Sequence, residues 1–299
     1  MDLKNRIEEL KKKKKAVILA HNYQVLEVQH LADFVGDSLE LARKSTGVDA
    51  DIIVFAGVYF MAETAKILNP DKKVLIPEIE ARCPMADMVT ASDIRRLRKQ
   101  YPDAGFVAYV NTNADVKAEV DIICTSANAV KVVNSMPQKR IVFVPDKNLG
   151  NWVKQNTDKD VILYHGYCYV HDEFEYEKIK RLKEENPDAV MLVHPEAPPQ
   201  VVEMADEVVS TSGMLRYVAS TDARKIIVVT EEGLLDMLRE KHPDKIILSA
   251  GRKAICEDMK KITPESILRS LEEEKYEITI PPDTMERARG AIEKMLKIK

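Results

Sequence analysis

Short apolar runs recur along the chain, each followed by a polar turn and then by a stretch whose apolar residues return every three or four positions. AVILAH (16–21), DIIVFAG (51–57), GFVAYV (105–110), RIVFVPD (140–146), VMLVH (190–194) and KIIVVTE (225–231) are of the first kind; MAETAKIL (61–68), LGNWVKQ (149–155) and LLDMLREK (234–241) are of the second. Runs that are apolar at consecutive rather than alternating positions suit strands buried on both faces. Alternation of such runs with amphipathic helices is the pattern of parallel βαβ units.

The pattern repeats at intervals of about 86 residues. AVILAHNYQ, GFVAYVNTN and VMLVHPEA end their apolar runs at His21, Tyr109 and His194. VGDSLELA, CTSANAV and STSGML carry Ser38, Ser126 and Ser212 in register. NPDKKVLIP, NTDKDVILY and HPDKIILSA start at 69, 156 and 242, and each opens a fourth strand. We therefore expect an α/β protein of three pseudo-threefold-related α/β/α sandwich domains with small parallel sheets, its active site at their common interface. The expected domains are 1–85, 86–170 and 171–262. The tail, 263–299, holds a helix, the strand YEITI and a final helix. It reads as the opening of a fourth unit and is expected to pack back on the first domain.

Composition narrows the function classes. The 299 residues include 45 Lys+Arg against 49 Asp+Glu, a formal net charge of −4, which argues against a general nucleic-acid binder. Hydrophobic residues make up 45%, enough for a large core. The longest apolar run, 52–62, is too short to span a bilayer, and the opening MDLKNRIEELKKKKK reads as a charged helix without the apolar centre of a secretory signal. Four cysteines in a chain of this size are no disulfide framework. The expectation is a cytoplasmic protein with reduced thiols and no membrane or nucleic-acid partner.

In open α/β sheets ligands bind beyond the carboxyl ends of the strands. That rule selects three rims: His21–Tyr23, Tyr109–Asn111 and His194–Glu196. It also selects Ser38, Ser126 and Ser212, with Thr211 beside the last, at the expected starts of helices, where free N–H groups and a positive dipole end favour anions. Cys83, Cys168 and Cys256 fall just past the fourth strand of each unit, in steps of 85 and 88. Three like domains about one axis would bring these thiols together, with a coordination position left open for chemistry. Sulfur ligands favour zinc or an iron–sulfur cluster, and the spacing does not choose between them. Cys124 aligns with Gly36 and Ser210 and reads as structural. Met61, Met85 and Met259 read as packing around the centre, and His30, His165 and His242 as ordinary residues outside the rims.

The strings LAHNYQ, ADFVGDSLELA, FMAETAKILNP, CPMA, YVNT, CTSANA, PDKNLG, GYCYVH, HPEA, STSGM and CEDMK, in this order over nearly the whole chain, resemble the quinolinate synthase (NadA) family. The resemblance implies a [4Fe–4S] cluster held by Cys83, Cys168 and Cys256 with one iron open. It implies condensation of iminoaspartate with dihydroxyacetone phosphate to quinolinate, phosphate and water, in NAD biosynthesis. Transient contact with an aspartate oxidase or dehydrogenase that supplies iminoaspartate would follow. By motif position Tyr23, Tyr109, His194 and Glu196 are expected to carry protons. His21 and Asn111 are expected to hold substrate oxygens, Ser38, Ser126, Thr211 and Ser212 to receive anionic groups, and His171 to support the cluster from behind. Tyr59, Ala197, Glu257 and Asp258 depart from the family's usual residues; the last two put acid beside Cys256. The competing readings are another three-cysteine iron–sulfur enzyme, of reductase or radical type, and a non-catalytic metal or redox sensor. The sensor reading leaves the serines and the His194–Glu196 pair without a task.

Overall fold

A computed structural model describes residues 2–298. Three four-stranded sheets follow one another along the chain. The first unit runs α1 (Leu3–Lys14), β1 (Ala16–His21), α2 (Leu26–Gln29), β2 (Phe34–Gly36), α3 (Ser38–Ser45), β3 (Ile52–Ala56), α4 (Tyr59–Leu68), β4 (Lys73–Leu75). The second repeats this as α5 (Ala91–Gln100), β5 (Gly105–Tyr109), α6 (Ala114–Lys117), β6 (Ile122–Cys124), α7 (Ala129–Ser135), β7 (Arg140–Val144), α8 (Lys147–Gln155), β8 (Asp160–Leu163). After the short α9 (Tyr169–Asp172), the third runs α10 (Tyr176–Glu185), β9 (Val190–Val193), α11 (Pro199–Val202), β10 (Glu207–Val208), α12 (Thr211–Ser220), β11 (Lys225–Val229), α13 (Glu232–Lys241), β12 (Ile246–Ser249). All strands are parallel, and the order in each sheet is second, first, third, fourth. The middle strands explain their apolar runs: every residue of β3 and of β5 is buried.

The units close on one another head to tail. The short helix after the first strand of each unit packs on the last helix of another: α6 on α4, α11 on α8, α2 on α13. This closed cycle of like contacts realises the threefold arrangement expected from the repeat. It turns the carboxyl ends of all three sheets toward one centre.

The tail differs in part from its expectation. The short α14 (Glu257–Lys260) precedes α15 (Pro264–Glu273), which packs on α1 and β3 of the first unit, whereas α16 (Pro282–Lys297) lies along β6 and α6 of the second as well as α4. YEITI forms no strand of the first sheet beyond a single bridge, Leu75 to Glu277. It runs antiparallel to β4, with Tyr276 and Ile76 exchanging backbone hydrogen bonds at 2.9 Å. β4 is only three residues long, so little edge is available for it to continue. Among the described residues no helix is long and apolar enough to cross a membrane.

Candidate active site

One cavity, with an empty volume of about 730 Å3, opens where the three units meet. Its lining includes Cys83, Cys168 and Cys256, one from each repeat, and all three thiols are free. Each cysteine immediately precedes a short helical turn: Pro84–Met88, α9 and α14. The backbone N–H groups of that turn lie close to the sulfur while donating to the cysteine's own carbonyl, Ala86 to Cys83 at 2.9 Å and His171 to Cys168 at 3.1 Å. Met85 and Ala86 favour the Cys83 thiolate, His171 that of Cys168, and Met259 that of Cys256. Burial outweighs them, pushing all three thiols up, Cys256 to about 11 and the other two further. Three desolvated thiols, of which Cys83 and Cys168 are raised further by the neighbouring sulfurs, are suited to a cationic centre that takes thiolates.

Among the described residues, only Cys168, His171 and Glu196 bring three ligand atoms within 4.8 Å of one another. The three sulfurs are therefore spread wider than the roughly 3.8 Å that bonds of 2.3 Å to one tetrahedral zinc would demand.

Behind Cys168 lies a continuous chain of polar contacts. His171, at 1% exposure, places Nδ1 3.2 Å from the Cys168 sulfur and 2.8 Å from Glu196 Oε2. Its Nε2 is 3.0 Å from Thr230 Oγ1 and 3.3 Å from the Tyr23 hydroxyl, which itself lies 2.7 Å from Thr230 Oγ1. Glu196, His171 and Tyr23 thus form one wire through a buried ring. Burial raises the Glu196 carboxyl, but the charge and hydrogen bond of His171, then His194 and the Tyr109 phenol, more than offset it and hold Glu196 at about 2. Burial, and then the Glu196 charge, lift both phenols, Tyr23 and Tyr109, well above their ordinary range, so they stay protonated and available as hydrogen-bond donors.

The other two histidines are held neutral. Burial takes His21 and His194 down to about 3, against the pull of Glu196. In each, Nδ1 accepts a backbone N–H two residues on, Tyr23 N at 3.2 Å and Glu196 N at 3.4 Å, which leaves Nε2 to carry the proton. His194 Nε2 donates to Ser126 Oγ at 3.2 Å, and its ring stacks on His171 at 4.7 Å. Asn111 lines the cavity with its buried Oδ1 unpartnered. None of the lining residues is Lys or Arg. An anion entering here meets hydroxyls, amides, neutral imidazoles and helix starts.

The serines fall less regularly than the repeat suggests. Ser38 is the first residue of α3, capped by Asp37, which accepts from Leu39 and Glu40 N–H. Ser126 sits in the turn before α7, ahead of Asn128. Both line the cavity, as does Thr211. Ser212 does not belong with them. Its hydroxyl is taken by Glu40, Asn22 Nδ2 (3.3 Å) and Asp37 N–H (3.2 Å), stitching the third unit to the first. Ser210, not Ser212, caps α12. One residue along a helix start turns a side chain by about 100°, so equal sequence register does not guarantee equal aim.

Cys124 is fully buried in β6, away from the lining. Met61, Met85 and Met259 do line the cavity. Ala197 is buried, Tyr59 lies under the Arg82 guanidinium at 4.6 Å, and Asp258 pairs with Lys261 at 2.8 Å while Glu257 is exposed. Of the acid beside Cys256, Glu257 is thus exposed, whereas Asp258, mostly buried and paired with Lys261, still raises the Cys256 thiol.

Glu231 and Tyr169 also line the cavity and were not expected. Glu231 accepts from the Cys256 N–H at 3.1 Å and from Gly233 N–H at 2.7 Å, and pairs with Lys260 at 2.6 Å. Lys260 also donates to the Tyr23 carbonyl, so this group joins a cysteine loop to the Tyr23 turn. Gly233 permits that approach: a Cβ there would stand 2.7 Å from the Tyr23 and Gln24 carbonyls. The carboxyl-end rule, applied to the third strands as well as the first, points to Glu231 and its counterpart Asp146. Tyr169 carries no comparable signal beyond its place next to Cys168; its hydroxyl accepts from Glu257 N–H at 3.0 Å, with the Cys256 sulfur at 3.9 Å.

Comparisons with known proteins identify the family. The NadA family, described as "Quinolinate synthetase A protein", matches residues 5–297. A quinolinate synthase of Aquifex aeolicus is 53% identical over 303 aligned positions, covering 99% of this chain and 94% of the relative. One of Thermodesulfovibrio yellowstonii is 51% identical, covering 97% and 96%. Quinolinate synthase 2 of Methanosarcina acetivorans is 48% identical, covering 98% and 94%. Among solved structures, the E-1-hydroxy-2-methyl-but-2-enyl-4-diphosphate reductase of Plasmodium falciparum aligns over 92% of this chain and 94% of its own, at 13% identity and a TM-score of 0.33, too low to argue from. With sequence relatives at this identity spanning almost its full length, the chain belongs to the quinolinate synthase family.

Proposed function

We propose that the chain condenses iminoaspartate with dihydroxyacetone phosphate to quinolinate, releasing phosphate and water, in NAD biosynthesis in the cytoplasm. The observation that carries the reading is the meeting, in one cavity, of three thiols and the Glu196–His171–Tyr23 wire. Cys83, Cys168 and Cys256 would hold a [4Fe–4S] cluster. Bound there, it supplies a Lewis-acidic position open to a substrate oxygen.

The chain's own groups account for the remaining needs. Imine-to-enamine tautomerisation and ring closure each move a proton, and the acceptor is the Glu196–His171 pair, held at 2.8 Å, rather than the weakly basic carboxylate alone. Tyr23 and Tyr109, kept protonated by burial, hydrogen-bond to the reacting atoms and give up a proton only as charge develops there. His171 relays between Glu196 and Tyr23 through its two ring nitrogens, which extends the supporting role expected for it. His21, neutral with Nε2 protonated, donates to a substrate oxygen, His194 acts through Ser126 Oγ, and neither adds charge that would trap the product. Asn111, Ser38, Ser126 and Thr211 receive carboxylate and phosphate oxygens; the N-termini of α3 and α12 add their dipoles. The instability of iminoaspartate favours transient contact with the aspartate oxidase or dehydrogenase that makes it. The test is an anaerobic assay for quinolinate from the two substrates, beside the Cys168→Ala protein. Formation by the parent and loss in the variant are expected; equal amounts from both would overturn the reading.

A further inference from the structure

Two charged side chains outside the cavity lining are buried at the seam of the first and second units. Lys117, on α6, is 0% exposed; Glu63, on α4, is 7% exposed. Neither is a surface group that happens to be covered, because both are spent on one loop. Lys117 Nζ donates to the Thr112 carbonyl, with the Phe60 ring 5.3 Å away. Glu63 Oε2 accepts from Ala114 N–H at 3.0 Å. Immediately before the first of these anchors the loop carries Asn111 into the cavity. Thr112 is itself buried and closes the loop further, its N–H donating to the Val110 carbonyl at 2.8 Å and its hydroxyl to the Tyr109 carbonyl at 3.1 Å.

The repeat explains what this device is for. Gln29 occupies in α2 the place of Lys117 in α6, eight residues past the strand-end residue in each case. Its buried Nε2 donates at 2.7 Å to the carbonyl of Gln24, the counterpart of Thr112. The residue before Gln24 is Tyr23, as the residue before Thr112 is Asn111. In the third unit Val202 stands at this place and cannot donate. There Asn148, from the neighbouring α8, donates instead to the Glu196 carbonyl at 3.0 Å. All three rim side chains, Tyr23, Asn111 and Glu196, thus sit on turns whose carbonyls are held by a buried nitrogen donor.

We propose that Lys117 and Glu63 are positioning residues for Asn111, fixing the amide that substrate meets, and that a neutral donor–acceptor pair can replace them. The first unit already works with a glutamine at this place, so the requirement is a donor to the Thr112 carbonyl rather than a charge. The seam serves the charged pair well. Burial lowers Lys117 to about 8 and raises Glu63 to about 7, and each charge opposes the shift of the other. Misplacement of a contact group by an ångström is costly for binding and turnover.

The inference rests on the proposed function, and the test separates the two. Quinolinate binding to anaerobically purified, iron-loaded protein is measured by calorimetry, with iron content and far-ultraviolet circular dichroism as controls. If the parent does not bind quinolinate, the functional reading fails. If it does, Lys117→Met is expected to weaken binding about tenfold at unchanged iron content, and Lys117→Gln with Glu63→Gln to recover most of the loss. In an Asn111→Ala background the Lys117→Met effect is expected to shrink to within about twofold. Parent-like binding by Lys117→Met, or full additivity with Asn111→Ala, would overturn the inference. Should Lys117→Met not fold, Glu63→Gln, which removes the counter-charge of Lys117 but keeps an acceptor for Ala114 N–H, and Glu63→Ala, which removes both, are read against Asn111→Ala in the same way.

Discussion

Replacing Glu196 with Gln separates catalysis from stability more cleanly than any other change in the cavity. The side chain is 3% exposed, its Oε2 is 2.8 Å from His171 Nδ1 and 3.5 Å from His194 Nδ1, and its carboxyl is held at about 2. Glutamine keeps the shape and one carbonyl oxygen that still accepts from His171. It gives up a charge-assisted hydrogen bond for a neutral one, a loss of about 1 kcal/mol. It also removes a buried charge whose desolvation opposed folding. The carboxyl is held at about 2, so its partners outweigh that desolvation and the offset is only partial: the Gln variant should lose about 1–3 kcal/mol of unfolding free energy. Catalysis has no such compensation, because an amide cannot accept the proton. A positioned general base contributes about 10²–10⁴ in rate, so kcat for quinolinate should fall by that factor, with the iron content of the parent. Glu196→Ala differs: it leaves His171 and His194 facing an empty, unpaired site and should cost about 3–5 kcal/mol. The assays are anaerobic quinolinate formation and urea unfolding on the same preparations. A Gln variant within twofold of the parent rate would remove Glu196 from proton transfer. A Gln variant destabilised as much as the Ala variant would show that the carboxylate's role is structural.

Other expectations follow from the same contacts. Cys83→Ala, Cys168→Ala and Cys256→Ala should each lose most bound iron, whereas Cys124→Ala, a change inside β6, should keep it; equal loss in all four, measured by metal analysis, would refute the ligand assignment. Ser212→Ala removes the acceptor for Asn22 and Asp37 N–H and should destabilise by about 1–2 kcal/mol in urea. Ser38→Ala, which lines the cavity, should instead raise KM, and Thr211→Ala, whose hydroxyl lines the cavity and also accepts from Asn22 Nδ2 at 2.9 Å, should do both; a larger KM effect from Ser212→Ala than from Ser38→Ala would reverse this division. Glu274 is held at about 2 by hydrogen bonds from Lys14 (2.8 Å) and then Lys73. A carboxyl depressed in the fold stabilises above its ordinary 4.5, and that contribution is lost as pH falls toward 2. The group is partly exposed, so the contribution is about 0.5–1 kcal/mol. The stability difference between parent and Glu274→Gln should shrink between pH 5 and about pH 3, and a constant difference would contradict it.

Much of this was legible in the sequence because a threefold repeat magnifies weak signals. A single cysteine past a strand says little, but three at steps of 85 and 88 specify a meeting point. The apolar runs gave the sheets, and the carboxyl-end rule gave the rims. What the repeat could not give is aim. Ser38 and Ser212 share a register, yet one residue of difference in helix entry sends Ser212 into the seam. His171 read as a supporting group because sequence distance from Glu196 hides their 2.8 Å contact. YEITI has the composition of a strand but meets a sheet edge too short to extend. Lys117 and Glu63 look like surface charges on helices, and only the closure of α6 on α4 buries them.

The central claim is that thiols from three units hold one inorganic core with a position open to the reactants. Mössbauer spectra of iron-57-loaded protein, recorded with and without quinolinate, test it most directly. The account predicts about four irons per chain, one of which alone changes its spectrum when quinolinate is added. A protein that takes up a single metal ion, or whose irons all ignore quinolinate, would contradict it.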